Sequence, residues 1–210
     1  MVWICAYREW ALEIHNQIKN EIECNLIKSK EQFNKVTFNK NDTIFFIGWS
    51  WIIPNDIVQK HTCICLHPSP LPKYRGGSPL QHQIINGESL SAVTFFKMTD
   101  KLDAGNILYQ EYFSLKGNLK DIFSRIIPLG TSGILRILTS NVKEQPQDES
   151  QATFYKRRKP EDSEILVEDF KKYTAKKLHD KIRALQDPYP NAYIKCKDKK
   201  LFIQRSQYEK

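Results

Sequence analysis

Thr43-Ile44-Phe45-Phe46-Ile47-Gly48 is the stretch on which the fold turns. Four consecutive large apolar residues between a threonine and a glycine are too few for a helix. They also lack the in–out alternation of a half-exposed strand, so they read as a strand buried on both faces. Such a strand needs helices above and below it, and its neighbours should therefore alternate between strand and helix. Upstream, residues 2–6 read as a strand, Trp10, Ala11, Ile14 and Ile18 fall on one helical face, and residues 22–27 read as a second strand. Downstream, residues 61–66 form the next apolar run. The expected class is α/β, built on a parallel sheet.

Beyond this frame the pattern changes. His67-Pro68-Ser69-Pro70-Leu71-Pro72 has a proline at every second position and excludes a helix interior. Arg75-Gly76-Gly77-Ser78-Pro79 reads as a loop opening a helix, with Ser78 as N-cap, Pro79 as the first helical residue and Gly87 past the end. Residues 91–97 and 107–113 read as strands flanking a loop at 98–106. Asn118 is placed to cap a helical pattern through Leu119, Ile122, Phe123 and Ile126, which Pro128 and Gly130 should break or kink before residues 134–138. Residues 141–152 are polar. The expected organisation is a catalytic domain at 1–140, a linker at 141–152 and a small α+β appendage at 153–210. In the appendage, Thr174 caps a helix with Ala175, Leu178, Ile182 and Leu185 on one face, and residues 192–196 and 201–204 form two short strands.

Composition narrows the class. Hydrophobic residues at 40% and charged residues at 27% are an ordinary globular balance, which excludes a disordered or fibrous chain. No run of 18 or more apolar residues occurs, so no membrane partner is expected. The apolar opening, Met1-Val2-Trp3-Ile4-Cys5-Ala6, is short and lacks a basic leader, and reads as a buried strand rather than a signal peptide. Five cysteines without framework spacing point to a reducing, cytoplasmic compartment. Cys63 and Cys65 have no second ligand pair at a zinc-like spacing, and no metal is expected. The net charge of +8, concentrated at Lys156-Arg157-Arg158-Lys159 and between Lys171 and Lys181, suits a phosphate-bearing partner; the competing reading is a solvated basic face.

The chemistry-bearing region is Cys65-Leu66-His67-Pro68-Ser69-Pro70-Leu71-Pro72-Lys73-Tyr74-Arg75-Gly76-Gly77, followed later by Lys101-Leu102-Asp103-Ala104-Gly105. On the residues alone, His67 stands at the carboxyl end of a strand, where open α/β sheets place their sites. Asp103 lies in a glycine-containing loop and is able to orient an imidazole. The competing reading is a structural histidine that bonds a turn.

These two motifs together closely resemble the folate-dependent formyltransferase family, with similarity strongest over residues 42–113. The resemblance implies a Rossmann-like, mostly parallel sheet flanked by helices, N10-formyltetrahydrofolate as formyl donor, and an Asn–His–Asp trio. His67 and Asp103 match two members of the trio. The asparagine position is taken by Cys65, whose thiol is a weak donor where the family places an oxyanion donor. The run from Phe46 to Pro54 resembles the segment lining the pterin pocket. By that resemblance Ile47, Gly48, Trp49, Ser50, Trp51 and Ile52 contact the folate, largely through backbone, and Met98, Asp100, Leu102 and Asp103 form the other wall. Core packing is the competing reading for Trp49 and Trp51.

The acceptor amine is read from the loops and the tail. Tyr155-Lys156-Arg157-Arg158-Lys159-Pro160 and Pro188-Tyr189-Pro190-Asn191 look like the tail of sugar-nucleotide formyltransferases, so a nucleotide-linked amino sugar is the expected partner. Tyr7, Arg8, Tyr74, Arg75, Gly76, Gly77, Arg157 and Arg158 are its candidate contacts, with the arginines meeting a diphosphate. Family members that formylate methionyl-tRNA usually carry a larger, barrel-like C-terminal domain than residues 153–210 provide, and a nucleic-acid partner is the second expectation. A folate-binding relative without transferase activity, suggested by Cys65, is the third. A homodimer is compatible with all three.

Overall fold

The computed structural model describes residues 1–209. In chain order the elements are β1 (Val2–Cys5), α1 (Glu9–Ile18), β2 (Asn25–Ile27), α2 (Lys30–Phe33), β3 (Thr43–Ile47), α3 (Asn55–Lys60), β4 (Thr62–His67), β5 (Arg75–Gly76), α4 (Pro79–Ile85), β6 (Leu90–Lys97), β7 (Ile107–Ser114), α5 (Leu119–Thr139), β8 (Phe154–Tyr155), α6 (Asp169–Lys172), α7 (Ala175–Ala184), β9 (Ala192–Lys195) and β10 (Lys200–Ile203). Six strands form one sheet in the order β2-β1-β3-β4-β6-β7. The first four run parallel, and β6 and β7 are antiparallel additions at the far edge. This is the Rossmann-like α/β architecture.

The central strand is buried as its sequence requires: Ile44, Phe45 and Ile47 are fully covered, and Phe46 nearly so. One face packs on Trp10, Ile14 and Ile18 of α1 and on Ile122, Ile126 and Ile134 of α5. The other packs on Phe33, Phe38 and Ile53. Each such fully buried side chain contributes about 1.5–3 kcal/mol relative to exposure. Because β2 and β3 flank β1 on opposite sides, the chain reverses direction across the sheet there. The carboxyl ends of β1 and β3 therefore bound a crevice, the position at which α/β sheets bind ligands.

Two expectations are corrected. Pro128 and Gly130 do not break α5, which runs unbroken from Leu119 to Thr139 behind a reciprocal Asn118–Asp121 capping box. An internal proline costs about 3 kcal/mol. The offset is the burial of Ile122, Phe123, Ile126 and Ile134, together with glycines where α5 touches its neighbours: a Cβ at Gly130 would lie 2.5 Å from Ile14, and one at Gly133 2.6 Å from Phe95. This is the one described helix long and apolar enough to cross a membrane, and here its apolar face covers the sheet. Ser78 is not a side-chain cap of α4. Its backbone is left-handed, with φ 56°, and its hydroxyl accepts a hydrogen bond from the Arg158 amide instead.

The C-terminal segment has its own small core of Ile165, Leu178, Ile182, Leu185 and Ala192. Thr174 caps α7 by accepting from the Lys177 amide, and β9 and β10 pair antiparallel. The segment is fastened to the body by Arg183, which donates to the carbonyls of Leu115 and Gly117 while paired with Asp180. Residues 141–152 also lie against the body: Gln145 pairs with Ile107, and Gln147 and Glu149 reach Arg75.

Candidate active site

His67 is the last residue of β4 and is 6% exposed. Its Nε2 lies 2.8 Å from the carbonyl oxygen of Tyr74. A carbonyl only accepts, so Nε2 carries the hydrogen and Nδ1 of the neutral ring holds the free lone pair. Nδ1 faces Asp103 Oδ2 at 3.7 Å. That separation is too long for a direct hydrogen bond and lies within ion-pair reach when the ring carries a second proton. The imidazole is thus oriented by backbone from behind and faced by a carboxylate in front.

Asp103 is held in an unfavourable conformation. Its φ of 49° is in the left-handed region, which costs a non-glycine residue about 1–2 kcal/mol. Its Oδ2 accepts from the Gly76 amide at 2.7 Å, so the Arg75-Gly76-Gly77 loop fixes the carboxylate that faces His67.

Cys65 lies two residues before His67 on β4, near enough to Asp103 to feel its charge. Burial pushes its thiol well above the ordinary value, and the neighbouring carboxylate adds to this. It is a neutral thiol directed at the carbonyl of Leu66, 3.7 Å away, and carries no thiolate character.

Tyr7 and Arg8, after β1, meet Gly48, Trp49, Ser50 and Trp51, after β3, in the crevice predicted by the strand order. The Tyr7 hydroxyl donates to Ser50 Oγ at 2.6 Å, with Arg8 Nη2 3.4 Å from the same oxygen. Tyr7, Trp49 and Trp51 form a contiguous aromatic group. Gly48 has φ +60°, and a Cβ there would lie 2.9 Å from the Trp10 ring. Ile47 is fully buried, backbone and side chain alike, and sits behind the crevice rather than in it. Trp49 packs on Phe33 and Phe46 and is half core residue, whereas Trp51 and Ile52 are exposed. Among the described residues, no main-chain N–H or C=O of residues 50–53 bonds within the chain, and the Trp49 indole N–H is buried without a partner. That pattern suits recognition of a flat heterocycle by extended backbone. Met98 is anchored by its amide to the Cys63 carbonyl, while Asp100 and Leu102 stand exposed on the loop that carries Asp103.

The candidate acceptor contacts divide. Arg8 is a half-buried cation with no carboxylate within salt-bridge reach among the described residues. Its guanidinium lies 5.2 Å from the centroids of both the Tyr7 and Tyr189 rings. Tyr189 was not foreseen. Burial raises its phenol, with the charge of Arg8 opposing. Arg157 instead packs its backbone against Gly77. Arg75 is a correction: it is 1% exposed, bonded to Gln147 Oε1 and paired bidentately with Glu149 at 2.7 and 2.8 Å. No donor of consequence is left for a phosphate. Tyr74 is a second correction. It is buried, donates to Glu88 and stacks on Tyr155, and its phenol is pushed up to about 12, mainly by burial. Gly76 and Gly77 serve close approach to β8 and the two residues after it, where added Cβ atoms would lie 2.3 Å from Tyr155 and Arg157 backbone atoms. Arg158 bonds back to the Asp162 carbonyl, and burial lowers its pKa.

Among the described residues no three His, Cys, Asp or Glu side chains cluster as a metal site. A cavity of about 480 Å³ between β7 and the end of α5, lined by Tyr109, Arg136 and Lys143, contains none of the candidate site residues.

The chain is thus an open α/β sheet with a histidine–carboxylate pair beside its switch-point crevice, where sheets of this class bind ligands. Comparison with known proteins makes the class specific. The pattern of the family described as formyl transferase matches residues 14–121, and that of the formyl transferase C-terminal domain matches residues 158–210. The chain belongs to the formyl transferase family. It is 30% identical over 188 residues to methionyl-tRNA formyltransferase of Rickettsia bellii, covering 87% of this chain and 60% of that protein. The chain thus spans about 60% of the length of this curated relative. The structure is similar to methionyl-tRNA formyltransferase from Clostridium thermocellum, with a TM-score of 0.89 and 32% identity over 99% of this chain and 93% of that one. A 4-N formyltransferase from Francisella tularensis shares the fold, with a TM-score of 0.77 at 21% identity, covering 100% of this chain and 98% of that one.

Proposed function

We propose that this chain transfers a formyl group from N10-formyltetrahydrofolate to a primary amine, and that His67 and Asp103 manage the proton. The observation that carries the reading is the oriented His67 ring, with Nε2 committed to the Tyr74 carbonyl and Nδ1 facing Asp103. The amine nitrogen attacks the formyl carbon, and the formyl oxygen takes up negative charge. The proton lost by the amine is accepted at Nδ1, and Asp103 stabilises the imidazolium. The tetrahedral carbon then expels the folate nitrogen, which leaves with that proton. No covalent enzyme intermediate is needed, in keeping with the neutral thiol of Cys65. The main chain of residues 50–53 and the indole of Trp49 are suited to hold the pterin.

For the acceptor, methionyl-tRNA has the stronger support and displaces the amino sugar as first reading. The relatives at 30% identity and above carry that name, including the Clostridium thermocellum protein that this chain covers almost throughout. The net charge of +8 also favours a polyanion. The nucleotide-linked amino sugar is the second reading. It is favoured by Arg8, unpaired and flanked by Tyr7 and Tyr189, which suits a compact diphosphate beside a flat base. The test is single-turnover transfer of labelled formyl from the donor to initiator methionyl-tRNA and to a panel of amino-sugar nucleotides. Faster transfer to the tRNA than to every sugar supports the first reading, and the reverse supports the second. Absence of transfer to any amine overturns the transferase assignment.

A further inference from the structure

We infer that Gln147, in the polar stretch after α5, is a positioning residue that sets the aim of Asp103 at His67. The inference rests on the reading of Asp103 as the functional partner of His67. The Gln147 side-chain amide spans two parts of the site and uses its full bonding capacity. Its Nε2 donates to the carbonyls of Asp103, at 2.9 Å, and of Gly105, at 2.7 Å. Its Oε1 accepts from Arg75 Nε, at 3.1 Å, and Nη2, at 2.7 Å. Two donors and two acceptor sites are all that a glutamine amide offers.

The geometry links three loops to one carboxylate. Arg75 is buried, and its remaining face is clamped bidentately by Glu149, so the Oε1 side of Gln147 rests on a fixed point. The Nε2 side grips the backbone of a residue whose left-handed φ would relax if released. Gly105 is also confined: a Cβ there would lie 1.7 Å from the Lys97 carbonyl, so this carbonyl is presented to Gln147 by close main-chain packing. The Arg75 loop holds the same aspartate by its side chain, through the Gly76 amide. Gln147 thus ties the backbone of Asp103 to the loop that holds its carboxylate, without touching the reacting atoms. It also gives a role to Arg75 that phosphate binding does not.

The test separates aim from stability. In Gln147→Glu the side chain keeps both acceptor contacts to Arg75 but meets the Asp103 and Gly105 carbonyls with oxygen instead of N–H. We expect kcat to fall by roughly 10- to 100-fold, the scale of a misplaced catalytic group. The KM for the folate donor should change less than threefold (about 0.65 kcal/mol at RT of about 0.59), and the variant should remain folded at the assay temperature, with a lowered melting temperature. In an Asp103→Asn background the same substitution should cost less than about threefold, because residues that act as a unit are non-additive. Gln147→Met, which removes all four bonds at similar volume, carries the same cycle should the glutamate variant fail to fold. A folded Gln147 variant with unchanged kcat, or a loss that multiplies fully with that of Asp103→Asn, overturns the inference. Full activity of Asp103→Asn alone overturns instead the reading on which it rests.

Discussion

Two arginines next to the site, Arg8 and Arg75, look alike in sequence and are opposites in the fold. Both follow apolar strands or loops, both neighbour a tyrosine, and both were natural candidates to grip a phosphate. Arg75 is sealed inside, with Gln147 and Glu149 filling its donor fork. Arg8 is half-buried between two tyrosine rings, with only a long contact to Ser50. A buried guanidinium must be paired by the protein itself, because desolvation without a partner is prohibitive, whereas a partly solvated one can wait for a ligand. The first arginine builds the site and the second is available to use it. The same division separates the His67–Asp103 region, where backbone bonds fix each group, from the crevice beyond β1 and β3, where unpaired groups collect.

Breaking the proton pair should have the largest effect. Asp103→Asn keeps the shape of the side chain and removes its charge, and turnover should fall by at least ~10²-fold, the usual range for general acid–base groups. Single-turnover kinetics, with circular dichroism as a folding check, measure this. An unchanged rate would mean that the 3.7 Å approach is structural only.

The arginine contrast is tested next. Arg75→Ala leaves Gln147 Oε1 without its buried donors and should lower stability by about 1–3 kcal/mol. It should also lower kcat through the loosened Asp103 loop. Arg8→Ala should leave the melting temperature nearly unchanged and raise the acceptor KM. Thermal melts and steady-state kinetics on the two variants decide. A larger stability loss for Arg8→Ala than for Arg75→Ala would reverse the assignment. A smaller effect is expected at Cys65, whose thiol is turned towards Leu66: Cys65→Ala should cost about tenfold or less in rate, since a weak donor contributes little at an oxyanion. A loss equal to that of Asp103→Asn would give the thiol a direct role.

The frame and the approach of His67 to Asp103 were legible in the sequence, and physical reasons explain the frame. The doubly buried strand at Thr43–Ile47 has no other place to go in an α/β chain, and His67 follows directly from a strand end. Partners distant in the chain left no local signal. The residues that occupy Arg75 lie 72 and 74 positions away in a polar stretch whose composition reads as mere connection. Tyr189 reaches the crevice from the tail, and only tertiary packing places it beside Arg8. Pro128 misled for the opposite reason: the local penalty is real, but burial along α5 outweighs it.

The smallest predicted effect probes the exposed end of the Arg75 clasp. The hydrogen bonds from Arg75 hold the Glu149 carboxyl below its ordinary value, with desolvation opposing this and the charge of Arg75 adding to it. A carboxylate whose folded value is depressed stabilises the fold at pH above its ordinary, unfolded value. That contribution fades as the pH falls through the lower folded value, because the unfolded chain takes up the proton first. Wild type should therefore be more stable than Glu149→Gln near neutrality, and the gap should narrow on acidification below the ordinary value of 4.5. Apart from the adjacent Asp148, which feels the charge of Glu149, carboxylates elsewhere are common to both proteins, so the difference between their denaturation midpoints reports chiefly on this group. Glu149 is largely solvent-exposed, which screens the pair and keeps the gap small. Urea titrations of both proteins from neutral pH into the acid range measure it. A gap that widens as the pH falls would mean that Glu149 is not held ionised by Arg75, and that Gln147 alone satisfies the buried guanidinium.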